Sequence, residues 1–69
     1  MMENKFKERL KAARKAKGMT QSELADICET SQILISYYEG GQRKPGLDML
    51  VKMINALGVS ADCLLGIKH

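Results

Sequence analysis

Residues 20–39 read Thr20-Gln21-Ser22-Glu23-Leu24-Ala25-Asp26-Ile27-Cys28-Glu29-Thr30-Ser31-Gln32-Ile33-Leu34-Ile35-Ser36-Tyr37-Tyr38-Glu39, and two helix starts lie inside that stretch. Thr20 to Glu23 is a capping box: the Thr hydroxyl can accept from the Glu amide while the Glu carboxylate reaches back. Met19 and Leu24 stand where a hydrophobic staple would bracket the cap. A helix over 21–28 follows, with Leu24, Ala25, Ile27 and Cys28 expected on its buried side. Glu29-Thr30-Ser31 is a three-residue turn, Ser31 caps a helix over 32–39, and Gly40-Gly41 stops it. Two short helices joined by such a turn have helix-turn-helix geometry. Ala25 is small where the helices must approach, and Leu24, Cys28, Ile35 and Tyr38 are the apolar anchors of the crossing.

The same punctuation extends outward. Phe6, Leu10 and Ala13 recur at i, i+4, i+7 in a helix over 4–17 that ends at Gly18. Downstream, Gln42-Arg43-Lys44-Pro45-Gly46 is a loop. Leu47, Leu50, Ile54 and Leu57 then stripe a helix over 47–57 that Gly58 closes. Ser60 caps a short fifth helix over 61–65, with Val59 and Leu64 as its staple, and Gly66 ends it. The expected fold is therefore all-α, one domain over 1–69, with helices 2 and 3 forming the helix-turn-helix.

Composition agrees. At 69 residues the chain can build one small core, which excludes large catalytic architectures. Apolar residues make up 45% and aromatic residues 4%, too apolar for a disordered tail and too poor in aromatics for a small barrel. Cys28 and Cys63 form no C-x-x-C pair and the one histidine is terminal, so neither a zinc site nor a cofactor is expected. There is no basic-then-apolar leader and no long apolar run, and the expectation is a cytoplasmic protein without membrane contact. The net charge of +3 is unevenly laid out. Seven basic residues against two acids occupy 1–17, four acids and no base occupy 18–39, and four bases against two acids follow. Charge runs on helices are usually solvated faces, so the total merely permits a polyanionic partner.

Three segments in order carry a resemblance: Met19-Thr20-Gln21-Ser22-Glu23-Leu24-Ala25, then Tyr38-Glu39-Gly40-Gly41-Gln42-Arg43-Lys44-Pro45, then Ala56-Leu57-Gly58-Val59-Ser60 through Leu64-Leu65-Gly66. With these the chain, from Phe6 to Gly66, resembles the phage-repressor, Cro/C1 or XRE type of helix-turn-helix DNA-binding family. The resemblance implies a compact five-helix, lambda-repressor-like domain whose third helix enters the major groove of double-stranded DNA. It departs from the family at the first turn residue, usually Gly, which here is Glu29; a non-Gly residue with positive φ there costs roughly 1 kcal/mol.

Helical spacing puts Gln32, Ile33, Ser36 and Tyr37 on the outward side of helix 3, with Leu34, Ile35 and Tyr38 facing inward. The resemblance places those four at base edges. A Gln32 carboxamide can pair bidentately with adenine, Ser36 can donate or accept, Ile33 can pack on a thymine methyl, and Tyr37 can contact a methyl or a phosphate. With no Arg or Lys for guanine on this helix, A·T-containing half-sites are expected. Backbone contacts are expected from Gln21, at the first turn of helix 2, and from Ser31, Arg43 and Lys44, with a minor groove as the alternative for Arg43. In the family an Arg and a Glu at the positions of Arg14 and Glu39 form a structural salt bridge. A carboxylate at a helix C-terminus needs such a cation.

One small module touches few base pairs, so specificity calls for a homodimer on a two-fold operator. Leu64, Leu65 and Ile67, with Cys63 beside them, are the expected seam, and Cys28 is expected to be a small core hydrophobe. No nucleophile has a paired base and no glycine-rich phosphate loop precedes a helix, so no enzymatic function or small-molecule ligand is expected. The competing reading is a protein-interaction module, an antitoxin or regulator subunit, in which Ile33 and Tyr37 dock a partner. DNA binding through phosphates should weaken steeply with salt, whereas an apolar protein contact should hardly change.

Overall fold

A computed structural model describes residues 5–66 and contains five helices: α1 Phe6–Ala16, α2 Gln21–Ile27, α3 Gln32–Gly40, α4 Leu47–Leu57 and α5 Ala61–Leu65. α2, α3 and α5 each start at a side-chain cap, whereas α4 starts at Gly46 without one. Thr20 Oγ1 accepts from the Glu23 amide at 3.0 Å while Glu23 Oε1 accepts from the Thr20 amide at 2.8 Å. Ser31 Oγ accepts from Leu34 N and Ser60 Oγ from Cys63 N, satisfying amides that the first turn leaves without carbonyl partners. Asn4, at the expected start of the first helix, lies outside the described residues.

The turn between α2 and α3 is closed by two backbone bonds, Glu29 N to Asp26 O at 3.2 Å and Thr30 N to Ala25 O at 2.9 Å. That pattern requires a left-handed residue at position 29, and Glu29 has φ 58°, the one non-glycine with positive φ among the described residues. Its carboxylate meets Lys52 Nζ at 3.2 Å, but both ends are well exposed, so the pair is worth only about 0.2–1 kcal/mol. Relief of left-handed strain, roughly 1 kcal/mol, exceeds most of that range. Glu29→Gly is therefore expected to raise stability by about 0.5 kcal/mol, or ~2–4 °C in a thermal melt. A lower melting temperature would show that the ion pair, not the strain, dominates this turn.

α2 and α3 pack together, α1 packs on α3 and α5, and α4 packs on α2 and α5. Their shared core is Leu10, Leu24, Ala25, Cys28, Ile35, Tyr38, Met53, Leu57 and Leu64. Three expectations are corrected here. Ile27 is 54% exposed instead of buried. The inward arc of α2 is centred between Leu24, Cys28 and Ala25, and at 100° per residue Ile27 falls well off it. On α4, Leu47 is 75% exposed while Met53, left outside the expected stripe, is fully buried. The inward face there runs through Leu50, Met53 and Leu57, and Leu47 begins the helix at its edge. Leu64, expected at a dimer seam, has no exposed surface because α5 lays it between α1 and α4.

Candidate nucleic-acid interface

α3 divides cleanly. Ile35 and Tyr38 are buried and Leu34 half-buried, while Gln32, Ile33 and Tyr37 are exposed and Ser36 is half-buried beside them. On this face an isoleucine 61% exposed and a tyrosine 41% exposed stand one turn apart. The helix is held from behind by an ion pair. Arg14 Nε donates to Glu39 Oε2 at 2.6 Å and Arg14 Nη2 to Glu39 Oε1 at 3.1 Å, with the side chains 10% and 3% exposed. The third guanidinium nitrogen, Nη1, donates to the Met19 carbonyl at 2.7 Å. A single side chain of α1 thus fastens both the entry to α2 and the end of α3. The hydrogen bond to Glu39 pushes the Arg14 pKa up, against the opposing pull of burial, so the guanidinium stays charged at every working pH.

The contact continues to the surface. Gln21 Nε2 donates to Glu39 Oε1 at 3.1 Å, and Gln32 Nε2 donates to Gln21 Oε1 at 2.5 Å. Gln21 and Gln32 open α2 and α3, and the helix crossing brings their side chains together. Sequence reading singled out both residues and missed the link, because the partner of each lies on another helix. The signal available was the placement of a carboxamide at the first position of both helices.

Around this centre, Ser31 is exposed, and as its oxygen accepts from Leu34 its hydroxyl proton remains free to be donated. Arg43 and Lys44 are exposed on the loop after α3. Lys17 Nζ would lie 3.7 Å from a Cβ placed on Gly58, over the C-terminal end of α4, where a cation complements the helix dipole. On the far side, Leu65 is 44% exposed and Cys63 is exposed on α5, while Ile67 lies outside the described residues. Burial pushes the Cys28 thiol up, against the charge of Lys52, and leaves it an inert member of the core. Among the described residues no group of His, Cys, Asp and Glu could hold a metal ion, and no helix is long and apolar enough to cross a membrane.

Comparison with known proteins agrees with this geometry. The helix-turn-helix family profile matches residues 10–62. The chain is 42% identical over 64 residues to the SPbeta prophage-derived uncharacterized HTH-type transcriptional regulator YonR of Bacillus subtilis, covering 93% of this chain and 59% of that protein. It is 42% identical over 62 residues to the cryptic phage CTXphi transcriptional repressor RstR of Vibrio cholerae, covering 90% of this chain and 55% of that protein. The chain therefore spans just over half the length of these curated relatives. Among solved structures it superposes on the P22 c2 repressor, crystallised with a synthetic operator, with a TM-score of 0.83 and 32% identity over 87% of this chain and 91% of that one.

Proposed function

Because the chain belongs to the Cro/C1-type (XRE) helix-turn-helix family of transcriptional regulators, we propose that it binds double-stranded DNA sequence-specifically, with α3 in the major groove. The observation that carries this reading is the outward face of α3, where Gln32, Ile33, Ser36 and Tyr37 stand together on a helix whose opposite face is locked into the core. Gln32 reads a base edge by hydrogen bonds, Ile33 and Tyr37 pack on thymine methyls, and Ser36 lends a weak polar contact. Gln21, Ser31, Arg43 and Lys44 hold the phosphates that set the register. The protein acts in the cytoplasm as a repressor-like regulator and has no catalytic role.

Selection of bound duplexes from a random pool tests the reading. The expected result is an enriched motif, from which Gln32→Ala removes the preference at one position, a discrimination worth about 1–3 kcal/mol. Arg43→Ala and Lys44→Ala should each weaken binding evenly across sequences and reduce the salt slope by about 1. Failure to enrich any motif, or binding indifferent to salt, would return Ile33 and Tyr37 to the competing role of a protein-docking face.

We further propose a homodimer on a two-fold operator, seamed through α5. With Leu64 withdrawn into the core, Leu65 and Cys63 are the side chains of that helix left to form it. Leu65→Asp is expected to shift the sedimentation-equilibrium mass from dimer towards monomer while leaving helix content unchanged. An unaltered mass would place the seam on another surface.

A further inference from the structure

We infer that the acidic outer face of α2 is a docking surface for the basic outer face of α1 in a second copy of this chain. The copies meet head to tail, with Asp26 against Lys11 and Ile27 against Ala12.

The two helices expose matching sets of side chains. α1 exposes Lys11, Ala12, Lys15 and Ala16, and α2 exposes Ser22, Glu23, Asp26 and Ile27. Both sets occupy positions i, i+1, i+4 and i+5, so at 100° per residue each spans the same arc of its helix. One set carries two cations and no acid, the other two acids and no base. Glu8, the acid of α1, is exposed one turn before the first set and falls outside it.

A charged helix face is usually just solvated, and complementarity is what distinguishes these two. Laid antiparallel, equal arcs match position by position. Lys11 falls opposite Asp26 and Ala12 opposite Ile27, while Lys15 comes diagonally within reach of Glu23. Ile27 is 54% exposed, and small Ala12 and Ala16 leave room for it beside the lysine stems. Such stems cover apolar surface while their charged heads stay in water.

Within one chain the two faces do not satisfy each other. α1 packs on α3 and α5 and α2 on α3 and α4. Lys11, Lys15 and Asp26 have no ion-pair partner among the described residues. A contact between two different patches is heterologous, so a copy that receives a neighbour on α2 still offers its own α1 and the row stays open. The pairs are exposed and each contributes little, which makes the contact weak in free solution. On one duplex, copies stand at a raised effective concentration, and there the contact sets bound copies in a row. That consequence rests on the proposed DNA binding; the contact itself does not, and it is tested without DNA.

A chain carrying Cys63→Ser and Glu8→Cys takes a nitroxide label at position 8, since Cys28 is buried, and is mixed with isotope-labelled wild type. At low salt the wild-type amide signals of Ser22, Glu23, Asp26 and Ile27 are expected to broaden. They should recover at about 1 M salt, where the Debye length falls to about 3 Å. Lys11→Glu in the labelled chain, or Asp26→Lys in the receiving one, is expected to abolish the broadening, and the two together to restore it. Thermal melts check that each variant is folded. Broadening confined to α5 would report the proposed seam alone and overturns the inference, as does a charge exchange that restores nothing. No broadening at all also overturns it, and leaves the acidic face of α2 to a basic protein of another kind. Failure to enrich a DNA motif would leave the result of this experiment unchanged.

Discussion

Glu39→Ala is expected to remove about 3 kcal/mol of stability, most of what a domain of this size possesses. The substitution leaves Arg14, which is 8% exposed, with the Met19 carbonyl as its one remaining partner among the described residues, and it leaves the Gln21 amide without its acceptor. Removing one member of a buried pair costs about 3–5 kcal/mol. Against this, Glu39 sits at the C-terminal end of α3, where the helix dipole disfavours a carboxylate by about 0.3–1 kcal/mol, and that penalty disappears with it. The lower end of the range is therefore the expected one, read by urea denaturation. The double substitution Arg14→Met, Glu39→Leu should regain most of the loss, since two apolar side chains of similar size leave no charge unpaired. A loss below about 1 kcal/mol for Glu39→Ala would mean the pair behaves like an exposed one.

The second large effect separates two side chains of one helix. Met53→Ala is expected to cost about 2–5 kcal/mol, because truncating a fully buried side chain leaves a cavity in the shared core. Leu47→Ala, removing a side chain of comparable size that is 75% exposed, should change stability by less than about 0.5 kcal/mol. Equal losses for the two would place the inward face of α4 on the stripe that periodicity alone suggests.

That contrast marks where the sequence is legible. Local chemistry reads well: the Thr20 box and the Ser31 and Ser60 caps each depend on neighbours a few residues away, whereas the positive φ at Glu29 is legible only through the family resemblance. Helix type and order follow from the same short-range signals. The facing of α4 does not, because Leu47, Leu50, Met53, Ile54 and Leu57 supply two overlapping apolar stripes and only packing against α2 and α5 chooses between them. Leu64 misleads for a related reason. An apolar tail on a short helix looks surplus until α1 is seen to lie over it. In the candidate site, the four outward positions of α3 are set by helical period once the turn is placed. The Gln21–Gln32 contact requires the crossing of two helices, and Glu39 completes it from the end of the second.

The three-pronged grip of Arg14 bears on how this domain could be recombined. A segment running from Thr20 to Gly41 contains both helices of the motif and looks like a transplantable cassette. It carries with it a buried acid whose counter-ion, Arg14, belongs to the preceding helix. Grafted onto a foreign scaffold, that cassette imports a desolvated negative charge. The smallest unit that keeps this charge paired is therefore three helices, and an exchange of the motif must bring its arginine along.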